Sequence, residues 1–193
     1  EDDELIKIVE AISYSLLELK EINGISIYVN HENISTLFNK NIPDIITKEY
    51  GINKRIELKS FNDISKVTVF YIDNEDDNYY YVPITKYVND DREKIKIIID
   101  ELSSNYIYES NLISLLNKNI KLLNYEVKND SITLDFNNSI FMENNEILEE
   151  VIYSISYSVF ANYDVENVIF KINGEKFIEK SLKSYWIIDQ FAV

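Results

Sequence analysis

The sequence predicts an α+β protein: a small mixed or antiparallel sheet with two helices on one face, preceded by a helix–strand half-repeat. Three observations carry this. Two stretches repeat apolar residues at three- and four-residue steps on one side only, the mark of an amphipathic helix. Segments rich in Ile, Val and Tyr and bounded by Asn and Asp stand before, between and after them, as strands and turns do. The four letters ISYS are also written twice, at Ile12–Ser15 and Ile155–Ser158. One-sided stripes beside half-buried strands place both helices on the same face of the sheet.

Taken in order, residues 4–20 predict a helix with Leu5, Ile8, Val9, Ile12, Leu16 and Leu19 on one face. Gly24 ends it, and a short strand follows over 25–30. Residues 35–66 are irregular, with Pro43 and Gly51, and read as a linker with one short strand at IELKSF. VTVFYI from Val67 is a strand, DNEDDN its turn and YYYVPITKYV the returning strand. Asp90 predicts a helix start, with Glu93 three residues on as in a capping box. Ile95, Ile98, Ile99 and Leu102 form that helix's buried stripe. NLISLLNKN predicts a short helical turn, and KLLNYEV and SITLDF two strands joined at KND. A second long helix is expected over 145–161, with Leu148, Val151, Ile152, Ile155 and Val159 inward. VIFKI then runs into Asn173–Gly174, and EKFI returns as a hairpin.

Bulk composition excludes several functions. The net charge is −15, which repels nucleic acid and anionic membrane surfaces alike. There is no cysteine, hence neither a disulfide framework nor a thiolate metal site. No run approaches the roughly 20 apolar residues of a membrane span. The first residues, EDDE, carry no signal peptide, so any membrane anchor is expected to lie outside this chain. With 3 Gly and 2 Pro, most turns fall to Asn and Asp, which tolerate left-handed backbone.

The doubled ISYS extends into a longer repeat. With Leu5 placed over Leu148, the offset of 143 holds without a gap to Ile34 over Phe177. Ile8 meets Val151, Ile22 meets Val165, Val29 meets Ile172, Asn30 meets Asn173 and Glu32 meets Glu175. Identities are few, but the register survives helix, loop and strand. Residues 1–34 therefore read as the back half of a domain whose whole copy starts near Val67. A lone helix and strand cannot bury their own apolar face, so the 4–20 stripe is expected to be covered by something.

The succession VTVFYIDNEDDNYYYVPITKYV, REKIKIIIDELSSN, LLNKNIKLLNYEVKNDSITLDF, VIYSISYSVF and VIFKING resembles a GerM domain, a family of sporulation and spore-germination proteins. The resemblance covers about residues 66–178, and the earlier segment resembles the end of a preceding copy. The implied organisation is a truncated first GerM-like domain at 1–34, a linker at 35–66, a complete domain at 67–178 and a C-terminal extension at 179–193. One stretch departs from the family, SSNYIYESNLISLLNKN, which lacks the usual Gly and Pro. The resemblance implies a fold like the ring-building motifs of secretion-type assemblies. It also implies a non-enzymatic, membrane-anchored protein outside the cytoplasmic membrane, between mother cell and forespore. Its implied partners are other proteins of an envelope complex, with self-assembly among the contacts. No cofactor is implied.

Asp73, Glu75 and Asp77 alternate, but Asn78 fills the glycine position of a calcium loop and Ile84 its bidentate glutamate position. A solvated turn suits them better. His31 is the only histidine, and it falls where the repeat has Gly174, so it reads as a turn residue without metal or catalytic partners. Asp90, Asp91 and Glu93 read as helix capping. Tyr79, Tyr81, Tyr106 and Tyr108 are the candidate interaction surface, because tyrosine couples an apolar ring to a polar tip. They form either a recognition patch or core packing with rim hydroxyls. A tyrosine-lined module for cell-wall glycan or peptide is the alternative function.

Overall fold

The computed structural model describes residues 2–37, 42–75, 78–104, 111–142 and 145–181. The chain divides into two compact units, Glu1–Arg55 and Ile56–Val193.

The first unit opens with α1, Asp2–Leu17, followed by the two-residue strands β1, Tyr28–Val29, and β2, Glu32–Asn33, and the short helix α2, Ile34–Leu37. Asn30 and His31 both take positive φ, the geometry that lets a two-residue turn follow the twist of its strands. Val9, Leu17, Ile34, Ile42 and Ile46 form the core. Residues 35–66 are therefore not simply a linker. Ile42 and Ile46 are buried, and Ile46 exchanges both backbone hydrogen bonds with Ile25. Their apolar residues reach the core from an irregular loop, which leaves no periodic trace. Glu10, also buried, accepts the Asn53 N–H at 2.7 Å and pairs with Lys54 at 3.1 Å.

The second unit holds two sheets rather than one. Strands β3, Arg55–Glu57, β4, Ile64–Glu75, and β5, Asn78–Asn89, form a sheet in the order β3-β5-β4. Strands β6, Leu122–Lys128, β7, Ser131–Phe136, β8, Asn167–Ile172, and β9, Glu175–Ser181, form the other in chain order. Strands β7 and β8 are parallel, so the chain needs a crossover, and α4, Glu149–Asn162, provides it. Helix α3, Lys94–Ser103, packs on α4, and both pack on β4. Ile98, Ile132, Leu134, Ile155, Val168 and Phe170 are fully buried at the centre.

Two local expectations fail for identifiable reasons. Asp90 does not cap α3. Its carboxylate receives the backbone N–H and guanidinium of Arg92, and this holds Asp90 below the usual carboxylate range. The helix begins at Lys94 instead, and the Ile95 N–H donates to the Tyr163 hydroxyl at 2.9 Å. Nor do residues 111–119 make a helical turn: Ile113 is drawn into a bridge with Ile72 on the edge of β4. Among the described residues, six of the seven non-glycine residues with positive φ are Asn or Asp, as the scarcity of glycine requires.

Candidate interaction surface

Strand β5 places Tyr81 opposite Ile72 and Tyr79 opposite Asn74 in the β4–β5 hairpin. Tyr81 is half-buried because α4 delivers Tyr153 and Tyr157 to it, with ring centroids at 5.8 and 5.2 Å. Phe70 joins from β4 at 5.4 Å from Tyr157, and Lys180 of β9 sits 4.9 Å above the Tyr153 ring. Tyr79 and Tyr80 stay half-exposed near the hairpin end. Of the predicted four, Tyr79 and Tyr81 are on one strand, but only Tyr81 enters the ring cluster; Tyr106 and Tyr108 lie outside the described residues. Tyr153 and Tyr157 escaped the sequence reading. Their i, i+4 spacing on a helix was the available signal, since it sets two rings one above the other.

The outer edge of β4 is covered at Thr68, Phe70 and Ile72. Asn162 accepts the Thr68 N–H at 3.0 Å and donates to the Thr68 carbonyl at 2.6 Å. Ser158 Oγ accepts the Phe70 N–H at 2.9 Å while donating to the Ser154 carbonyl. Ile72 exchanges both bonds with Ile113. An edge strand so covered cannot recruit another strand. The outer edge of β6 differs. It ends its sheet, and Leu123 and Val127 on it are half-exposed.

Acid–base chemistry finds little to work with among the described residues. Glu101 and Glu57 both pair with the buried Lys86 ammonium, at 2.5 and 3.1 Å. No cluster of three potential metal ligands occurs there. His31 is exposed in its turn, and Asp73 and Glu75 lie on β4. No helix described is long and apolar enough to cross a membrane.

Comparison with known proteins assigns this architecture. The family model described as Germane, sporulation and spore germination, matches residues 68–177. The spore germination protein GerM of Bacillus subtilis is 30% identical over 180 residues, which are 88% of this chain and 49% of that protein. The chain thus spans about half the length of this curated relative. The solved tandem GerMN domains of the sporulation protein GerM from Bacillus subtilis superpose with a TM-score of 0.82 at 27% identity, covering 91% of this chain and 63% of that one. With more than half of its residues inside the family model and the fold in agreement, the chain belongs to the Germane family of sporulation and spore germination proteins.

Proposed function

We propose that this chain is a non-enzymatic interaction domain that helps assemble a sporulation or spore-germination envelope complex. The proposed place is outside the cytoplasmic membrane, between mother cell and forespore, held by a membrane anchor. The observation that carries the reading is the contrast between two of the sheet edges, those of β4 and β6. Strand β4 is sealed by Ser158, Asn162 and Ile113, whereas β6 ends its sheet with Leu123 and Val127 turned to solvent. An open edge bearing apolar side chains is a template for a partner strand or a second domain. The net charge of −15 directs that partner towards protein rather than nucleic acid or lipid headgroups. The tyrosine-based glycan or peptide site has less support, because Tyr81, Tyr153 and Tyr157 fill the space between them with one another.

The test is cross-linked recovery of partners from sporulating cells, using the full-length protein and its Leu123→Lys and Val127→Lys variants. Loss of specific partners with an unchanged circular dichroism spectrum is expected. Unchanged recovery from both variants would overturn the role of β6. Turnover of a peptidoglycan fragment, abolished by one carboxylate or serine substitution, would overturn the non-enzymatic reading.

A further inference from the structure

The dipeptide Asn–Gly is written twice, at Asn23–Gly24 and Asn173–Gly174, each time after an isoleucine. In this dipeptide a backbone nitrogen can attack the preceding side-chain amide with least hindrance, because glycine puts no side chain beside it. The two copies stand in opposite circumstances. Asn173 and Gly174 turn the β8–β9 hairpin with φ of 48° and 87°. The Gly174 N–H donates to Asp135 Oδ1 at 2.9 Å, and Asn173 Nδ2 donates to Asn138 Oδ1 at 2.7 Å. Nucleophile and electrophile are thus each tied to a different neighbour, and the geometry of attack is withheld.

Asn23 and Gly24 lie between α1 and β1, and both are exposed. Among the described residues, neither the Asn23 side chain nor the Gly24 N–H makes a hydrogen bond. Packing also keeps residue 24 a glycine, since a Cβ there would stand 2.8 Å from Ile45 Cγ2. The fold therefore holds the least hindered kind of amide nitrogen beside an asparagine that nothing restrains. Directly after it, Ile25 exchanges backbone hydrogen bonds with Ile46 at 2.9 and 2.8 Å, and Ile46 is buried in the first unit's core.

We infer that Asn23 is a site of spontaneous deamidation and that Asn173 is its protected counterpart. The Gly24 nitrogen gives its proton to solvent base and bonds to Asn23 Cγ, and the side-chain nitrogen leaves as ammonia. The product is a succinimide, in which the Gly24 nitrogen is bonded to both carbonyl carbons of residue 23. Water then opens the ring. Cleavage of the bond to Cγ gives aspartate, and cleavage of the bond to the main-chain carbonyl carbon gives isoaspartate. Water is the only co-reactant and nothing is oxidised or reduced. Either product adds a negative charge. Isoaspartate also lengthens the main chain by a carbon immediately ahead of the Ile25–Ile46 bridge, which loosens the seat of Ile46 in its core.

Peptide mapping by mass spectrometry follows both sites in the 193-residue chain during incubation at mildly alkaline pH. Asn23 is expected to convert about tenfold or more faster than Asn173, whose site is reached only by local opening. In denaturant the two rates should converge, since both asparagines stand between Ile and Gly. Asn138→Ala should raise conversion at Asn173 and leave that at Asn23 unchanged. Equal rates in the folded chain, or a slower rate at Asn23, would overturn the inference. So would a difference that persists undiminished in denaturant, because flanking sequence would then be its cause. No rise at Asn173 in Asn138→Ala would overturn the lock assigned to that side chain. The isoaspartyl form, separated by ion exchange, should show faster hydrogen exchange at the Ile46 amide, and unchanged exchange there would overturn the effect on the core.

Discussion

Helices α1 and α4 carry the same ISYS tetrad at the same place in a helix–turn–hairpin, yet one is half bare and the other enclosed. At Ile155 and Val159 the side chains contribute to a core built from two sheets and two helices. At Ile12 and Leu16 the equivalent chemistry faces water. The local code is shared: apolar periodicity, a turn of two left-handed residues and the hairpin register. What differs is only what lies across the helix. Secondary structure in this chain is thus set locally, while burial is set by what packs across the helix.

The largest expected difference between the copies is in the apolar stripe. Ile155→Ala, like Ile98→Ala, should destabilise the second unit by about 2–5 kcal/mol, the usual cost of truncating a fully buried isoleucine. Ile12→Ala should change stability by no more than about 0.5 kcal/mol in this chain. Chemical denaturation of the three variants checks this, and equal losses at 12 and 155 would erase the distinction.

The next effect is polar. Ser158→Ala removes the acceptor for the Phe70 N–H, and an unsatisfied buried group costs about 1–3 kcal/mol. Ser15→Ala removes only a bond back to its own helix, so a thermal melt should not move. A smaller change is expected at the hairpin turn. His31 holds a φ of 72° where the second copy has Gly174 at 87°. His31→Gly should relieve about 1 kcal/mol of left-handed strain, offset in part by glycine's greater freedom when unfolded. A destabilised first unit would show that the imidazole contributes something beyond the turn.

The smallest effect is electrostatic and confined to the second unit. Hydrogen bonding from Arg92 lowers the Asp90 pKa in the folded state. Its contribution is therefore present above the unfolded carboxylate value of about 3.9 and fades as pH falls through the lower folded value. Arg92→Ala should flatten that part of the acid titration, as followed by NMR of Asp90. An unchanged Asp90 titration would remove Arg92 as the cause.

Much of this was readable beforehand, for reasons that particular residues make plain. The α3 and α4 stripes, the β4–β5 hairpin and the Asn173–Gly174 turn announce themselves through periodicity and turn chemistry. The split into two sheets did not, because pairing between distant strands leaves no local mark. Ile42 and Ile46 were missed for the same reason, being single apolar residues in a loop. The Asp90 capping box was legible but wrong, since Arg92 two residues on competes for the same carboxylate. For the surface, Tyr81 was legible as a strand residue, but its neighbours Tyr153, Tyr157 and Lys180 come from other elements. The bare stripe of α1 was legible as apolar; that it stays uncovered was not.

The contrast between the exposed stripe of α1 and the enclosed stripe of α4 is tested most directly by amide hydrogen exchange on the 193-residue chain. The amides of Ile12–Ser15 and Ile155–Ser158 are compared in one sample. The account predicts that the α4 amides exchange only through the largest opening of their unit, while those of α1 exchange faster, through a smaller local opening. Protection in α1 equal to or greater than that in α4 would contradict it.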